Sequence, residues 1–243
     1  WGCGTSRSYF RARGCSVLIH YHGTPLTPRS ELLKLAGKHF CVSYADYRDS
    51  GFCLSSAQSI MWDNGAFTYH TQGVKPDWSE YYNWLETRLG HPHWAVIPDV
   101  IDGTADGNTA LIKQWPHEFD CAAVVWHLHE PLGHLGTLLD FGAAKICFGS
   151  SRQFWQIGSD RWERRMDEAF NWLHKRGSLP WVHMLRGLAL SGDRWPFASA
   201  DSANVARNYK DANICPERMA RRIDAVQCPI TWHVRPHTAE LFK

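Results

Sequence analysis

The sequence predicts a single-domain α/β fold, a (β/α)8 TIM barrel. Two observations carry this expectation. Eight short, mostly apolar segments have the character of strands buried on both faces. Amphipathic helical segments lie between many of them, and that alternation builds a parallel sheet. Eight strands favour closure into a barrel over an open Rossmann sheet, and the chain has no G-x-G-x-x-G turn for a dinucleotide. The length of 243 residues suits one such barrel.

In chain order the expected strands are Val17–His22, Phe40–Tyr44, Ser59–Asp63, Trp94–Asp99, Ala122–His127, Ala144–Gly149, Trp181–Leu185 and Phe197–Asp201. Between them, Trp78–Leu89 repeats Tyr81, Trp84, Leu85 and Leu89 at helical spacing. Asp160–Lys175 does the same with Trp162, Met166, Ala169, Phe170 and Leu173. Thr104–Trp115 and Pro131–Phe141 are shorter helical segments, and Pro216–Val226 follows the last strand. No internal repeat, low-complexity tract or linker divides the chain. One domain therefore spans 1–243, with a barrel core from about 16 to 210 and a C-terminal extension over 211–243.

The formal net charge of +2 argues against a generally basic nucleic-acid coat. A nucleic-acid partner would have to meet a local patch. Arg161, Arg164 and Arg165 form one candidate, and Arg207, Lys210, Arg218, Arg221 and Arg222 another; a solvated helix face accounts for the first group equally well. Most of the 13 Trp residues belong to core or helix packing, with a few available to stack on bases. None of the eight Cys forms a C-x-x-C pair, and Cys41, Cys121 and Cys147 lie in apolar runs. Buried free thiols in a reducing cytoplasm fit this pattern better than a disulfide framework. No apolar run is long enough to span a bilayer, so no membrane partner is expected.

The strand ends carry the functional signal. Nearly every expected strand runs into polar, small or Gly-rich residues: His20/His22-Gly23, Asp63-Asn64-Gly65, Asp99, His127/His129-Glu130, Gly149-Ser150-Ser151, Arg186-Gly187 and Asp201-Ser202. In a parallel barrel these points converge on the C-terminal rim, where active sites are built. Asp63, Asp99 and Asp201 each follow an apolar strand directly. One such Asp is commonly a turn or helix-cap residue; three at the same rim point to a site.

Asp63-Asn64-Gly65-Ala66-Phe67 and Phe197-Ala198-Ser199-Ala200-Asp201-Ser202, with Arg207 six residues beyond Asp201, resemble the tRNA-guanine transglycosylase superfamily. They look most like its phage and bacterial DNA deazaguanine transglycosylases. The family carries D-S-G-G-F after its third strand, where this chain has D-N-G-A-F. It places a nucleophilic Asp at the end of its eighth strand, followed by an Arg that meets the nucleic-acid backbone. Ala95-Val96-Ile97-Pro98-Asp99 matches the place of a base-recognising Asp, and Cys147-Phe148-Gly149-Ser150-Ser151 resembles the family's Gly-rich turn. His127 or His129 lies near a base-contacting position that is normally Gln. The resemblance runs loosely from His20 to Asn208.

The resemblance implies an exchange of guanine in DNA, or alternatively in tRNA, for a 7-deazaguanine derivative. It would act in the cytoplasm, the host's for a phage-encoded relative. Asp201 would attack the sugar C1′ and hold a covalent intermediate. Asp63 would protonate the departing guanine and deprotonate the incoming base. Asp99 would accept from the guanine N1–H and exocyclic amine, and backbone N–H groups at Gly149 and Ser150 would meet the base carbonyl. Asn64 and His127 complete the expected base contacts. The target base must leave the stack, at a cost of roughly a few kcal/mol; Phe67, Phe148 and Trp126 are candidate walls to receive it, with a place in the strand core the alternative for Trp126.

No cofactor is required by this chemistry. The family's tRNA enzymes carry a structural zinc site of C-x-C-x-x-C and a later His, which is absent here. Cys215, Cys228, His233 and His237 give a looser C-x12-C-x4-H-x3-H spacing that a structural zinc would accept. A rival reading is a metal-dependent amidohydrolase, with His20 and His22 as H-x-H, His127 and Asp201 as further ligands, and a metal-bound water as nucleophile. It lacks the His expected after the sixth strand and the Lys after the fourth. A non-enzymatic nucleic-acid-binding barrel leaves the three rim carboxylates unexplained, because they would repel phosphate.

Overall fold

A computed structural model describes residues 17–235, apart from positions 178 and 212. Eight parallel strands close into a barrel in sequence order. They are β1 (Ile19–Gly23), β2 (His39–Ser43), β3 (Ser59–Asp63), β4 (Trp94–Val96), β5 (Ala122–His127), β6 (Lys145–Gly149), β7 (Val182–Met184) and β8 (Ser199–Ser202). All eight fall on segments that the apolar runs predict, within a few residues at each end.

The connecting helices are α1 (Arg29–Leu33), α2 (Ser50–Ser56), α3 (Ala66–Gln72), α4 (Trp78–Leu85), α5 (Ala105–Ile112), α6 (Leu132–Asp140), α7 (Asp160–Lys175), α8 (Asn204–Asn208) and α9 (Pro216–Asp224). The longest, α7, shows why its sequence is helical. Ser159 caps it by accepting from the Trp162 N–H, Asp160 and Glu163 occupy its first turn, and His174 and Lys175 its last. Trp162, Met166, Ala169, Phe170 and Leu173 then face the barrel, all buried. The short helices α1, α2, α3 and α8 have too few turns to show a periodicity, which is why the pattern did not announce them.

After β7 the chain makes a 3-10 turn at Leu188–Leu190 and an irregular stretch in place of an α-helix. Trp195 fills the helix layer there instead. It is fully buried, meets Trp162 edge-on at 5.1 Å between ring centroids, and donates from Nε1 to Asp167 at 3.0 Å. At the C-terminus, α9 packs on the outside of the barrel beside β1, so the described part of the 211–243 extension belongs to the helix layer. Asp224 accepts from His22 Nε2 at 2.9 Å and from Lys38 Nζ at 2.7 Å.

Strand alternation sorts the side chains into two cores. Tyr21, Cys41, Met61, Trp94, Val96, Ala123, Val125 and Cys147 fill the barrel lumen. The intervening residues, among them Phe40, Ile60, Trp62, Val124, Trp126, Phe148 and Ala200, pack outward against the helices. The same alternation carries Asp63, His127, Gly149 and Asp201 inward at the C-terminal end. Among the described residues, Cys41, Cys53, Cys121 and Cys147 are buried free thiols, as expected; Cys3 and Cys15 lie outside the described residues. No helix among them is long and apolar enough to cross a membrane.

Candidate active site

A pocket of about 550 Å³ opens at the C-terminal end of the barrel. Its wall brings together Asp63, Asn64, Phe67, Asp99, His127, Gly149, Ser150, Asp201 and Arg207. These are the residues the sequence singles out, at or just after the ends of strands β3 to β6 and β8 and in helices α3 and α8.

Asp63 ends β3, and Gly65 makes the following turn. Gly65 has φ 78°, and a Cβ on it would lie 2.9 Å from that of Ala45. This left-handed residue lets two Asx turns form in succession. Asp63 Oδ2 accepts from the Gly65 N–H at 3.0 Å, and Asn64 Oδ1 from the Ala66 N–H at 2.8 Å. With its oxygen so engaged, the Asn64 amide nitrogen faces Asp99 and donates to Oδ1 at 2.8 Å and to the Ile97 carbonyl at 2.9 Å. Phe67 follows in the first turn of α3 and stands exposed at the rim. Burial, and then the neighbouring Asp201 charge, push the Asp63 carboxyl up to about 7. It therefore exchanges a proton readily near neutral pH.

Asp99 and His127 form a buried pair, Nε2 to Oδ2 at 2.8 Å. His127 Nδ1 has no hydrogen-bond partner among the described residues. A Cβ on Gly149 would come within 2.8 Å of that nitrogen, so a glycine is needed for the ring to lie there. A network behind the pair fixes both loops. Asn108 accepts from the Val100 N–H at 2.8 Å and donates to Glu130, which accepts from the His127 backbone N–H and pairs with His134. His129 serves structure instead: it binds Ser151 Oγ at 2.6 Å and donates to the Gly103 carbonyl at 2.9 Å. The alternative between His127 and His129 thus resolves in favour of His127 as the pocket residue.

Asp201 is anchored through one oxygen. Its Oδ1 accepts from the Arg186 N–H at 2.7 Å and faces His183 Nε2 at 3.2 Å. Its Oδ2 takes no hydrogen bond from a described residue and is left to the pocket. A carboxylate oriented at one oxygen and free at the other is suited to nucleophilic attack. Cys41 also lines the pocket, but burial and then the Asp201 and Asp63 charges hold its thiol well above its ordinary range, in the protonated form that is a poor nucleophile.

Several expectations are corrected. Trp126 and Phe148 do not wall the pocket; they face outward and meet each other edge-on at 5.0 Å in the helix-side core. His20 and His22 also face outward, to Ser191 and Asp224, because they alternate with the inward Tyr21. They are therefore not assembled with His127 and Asp201 as an amidohydrolase metal set. Ser150 lines the pocket as expected, with its hydroxyl accepting from Trp162 Nε1 at 2.9 Å. Arg165 is tied down at Leu128, Glu130 and Glu168 and lies over Trp126. It braces loops rather than offering a charge to phosphate, whereas Arg161 and Arg164 are exposed.

Cys215, Cys228 and His233 do not gather into a metal site among the described residues, and His237 lies outside them. Cys228 Sγ instead donates to the Leu190 carbonyl at 3.7 Å. The one close trio of ligand types among the described residues is His91, Asp120 and Cys121, just ahead of β4 and β5 and so at the opposite end of the barrel. Two residues went unremarked as site groups in the sequence: His183, read as ordinary strand, and the backbone N–H of Arg186. The period-2 alternation through β7 was the signal for His183, since it places that ring beside Asp201.

No protein-family model matches this chain, and neither does any curated protein.

Proposed function

We propose that the protein is a base-exchange transglycosylase that replaces guanine in a nucleic acid with a 7-deazaguanine derivative. The observation that carries this reading is the convergence of Asp63, Asp99 and Asp201 on one pocket, each in a different environment. Asp201 has a free oxygen, Asp63 has a proton affinity near neutrality, and Asp99 is paired and rigid.

In the proposed reaction Asp201 Oδ2 attacks C1′ of the target nucleotide. The electron pair of the C1′–N9 bond passes to guanine, which takes a proton from Asp63. The result is an ester between Asp201 and C1′. The 7-deazaguanine then enters, gives its N9 proton to Asp63, and attacks C1′ with that nitrogen, releasing the Asp201 carboxylate. Two displacements at one carbon restore the original configuration, and Asp63 ends as it began. Asp99 accepts hydrogen bonds from the base, and His127 Nδ1, Gly149 and Ser150 flank its other edge. Such matching rejects wrong bases strongly, because they strand buried polar groups. Phe67 supplies a stacking surface, and Arg207 a cation for the backbone.

DNA is the polymer we favour, because the C-x-C-x-x-C zinc pattern of the tRNA enzymes is absent from the sequence. The test is incubation with guanine-containing DNA or tRNA and a labelled 7-deazaguanine, followed by nucleoside analysis. Label should enter DNA, through a covalent complex visible on a denaturing gel that is lost in Asp201→Ala. Wild-type exchange in both Asp201→Ala and Asp201→Asn would sink the assignment, and label entering tRNA alone would reassign the polymer.

A further inference from the structure

The Arg186 side chain is a part of this pocket that the proposed reaction leaves unused. Its backbone adopts φ 60°, a left-handed conformation unusual for a residue with a long side chain. That conformation aims its N–H at Asp201. The packing around it is tight: a Cβ on the next residue, Gly187, would fall 2.3 Å from Met184 Cγ. Backbone strain held in place by packing is a common mark of a functional position.

The side chain is arranged as deliberately. Its guanidinium carbon lies 4.9 Å from the Phe67 ring centroid and 4.6 Å from that of Trp155. Those two rings are close to parallel, 19° apart, with centroids separated by 5.8 Å. Phe67 is 40 % exposed and Trp155 41 %, so the group sits at the mouth of the pocket, away from the Asp99–His127 pair. The guanidinium makes no ion pair and donates no hydrogen bond to a described residue, in contrast to Arg165, Arg176 and Arg194. Partial burial pushes its pKa down, so an anion there would be welcome. The pocket wall carries three carboxylates, and Arg186 and Arg207 are its cations. A polyanion entering this mouth needs both.

We propose that Arg186 is a phosphate-recognising residue: its guanidinium, held against Phe67 and Trp155, binds a phosphodiester oxygen next to the target nucleotide and makes the enzyme select a polymer over a free nucleoside. The proposal rests on the transglycosylase reading for its substrate class. Guanidinium forks match phosphate oxygens and stack on aromatic faces, which suits Arg better than Lys for this role.

The test measures binding by fluorescence anisotropy across a salt series. It uses the wild type, Arg186→Met and Arg186→Lys, with an oligonucleotide carrying one target guanine. The two phosphates flanking that guanine are replaced, one at a time, by neutral methylphosphonates. Arg186→Met keeps an aliphatic stem on the rings; it should weaken binding about tenfold and lower the salt slope by about one. Arg186→Lys should keep the slope. One methylphosphonate should weaken the wild type and leave Arg186→Met unaffected. The idea is overturned if neither methylphosphonate weakens the wild type, which holds even if a variant fails to fold. It is overturned equally if both proteins are weakened alike, or if Arg186→Met changes only the choice of incoming base. A wild type that binds no oligonucleotide overturns this proposal and the transglycosylase reading together. A wild type that shows the phosphate effect without exchanging bases overturns the reaction alone.

Discussion

His127 Nε2 and Asp99 Oδ2 stand 2.8 Å apart with both side chains almost wholly removed from water. Because Asn64 holds the other Asp99 oxygen, the carboxylate cannot rotate. Because Nε2 is committed to Asp99, the imidazole turns its unpartnered Nδ1 toward the Gly149 side of the pocket. The pair therefore forms one rigid edge of the pocket, to which the proposed function gives base recognition, braced from behind by Asn108 and Glu130.

Removing the ring should expose this coupling. His127→Leu strands Asp99 Oδ2 in a buried site, at a cost of about 1–3 kcal/mol in stability. Thermal denaturation should show the loss, and exchange should lose discrimination between guanine and adenine substrates. His127→Gln, which restores a donor, should recover part of both. Unchanged base discrimination in His127→Leu would remove the pair from recognition.

Gly149 should tolerate no side chain. The 2.8 Å approach of a Cβ to His127 Nδ1 is shorter than real contacts allow, and the ring has no free space to yield because Asp99 holds it. Gly149→Ala should destabilise the protein by about 1–3 kcal/mol through overpacking and raise KM for the incoming base. A Gly149→Ala enzyme with wild-type KM and melting temperature would show that the ring is mobile.

Asp63 makes stability depend on pH in a direction opposite to that of most carboxylates. Its folded pKa of about 7 lies above the ordinary carboxyl value of 3.8. Between those values the folded state holds more proton than the unfolded, so stability falls as pH rises through that window and is lowest above about 7. Asp63→Asn removes the penalty. It should raise the unfolding free energy at pH 8 by on the order of a few kcal/mol at most, read as a higher melting temperature, and much less at pH 4. Trapping of the covalent intermediate, which needs protonated Asp63, should slow above pH 7 in the wild type. Equal stabilisation at both pH values would mean that Asp63 is an ordinary ionised carboxylate.

The barrel was legible because strands buried on both faces must be apolar, and eight such runs bounded by polar residues leave few other architectures. Asp63, Asp99 and Asp201 were legible for a related reason: an acidic residue straight after an apolar strand interrupts a strong pattern. What lay hidden was direction. His20 and His22 look like rim ligands, yet alternation from the lumen residue Tyr21 turns both outward. Trp126 and Phe148 look like base walls and face the helices for the same reason. Arg186 acts on Asp201 through its backbone N–H, which carries no residue-specific signal at all. Trp155, at the mouth beside it, comes close only through folding.

His183 supplies the last prediction. It is fully buried beneath Asp201, with Nε2 at 3.2 Å from Oδ1 and Nδ1 at 2.8 Å from Ser199 Oγ. Trp181 Nε1 can only donate, and it donates to that same Oγ at 2.9 Å. The Ser199 hydroxyl proton is then free to point at His183 Nδ1, which places the ring proton on Nε2, facing Asp201. Together with the Arg186 N–H, this donor fixes Oδ1 and leaves Oδ2 free for the attack proposed above, which would make His183 a positioning residue. His183→Leu should lower kcat by roughly tenfold to a hundredfold, the loss of one hydrogen bond to a charged group, while KM for the nucleic acid stays near wild type. His183→Gln, with an amide donor in reach of Asp201, should restore much of kcat. A purely structural role would predict otherwise: melting temperature and kcat would fall together in both variants, with no rescue by Gln.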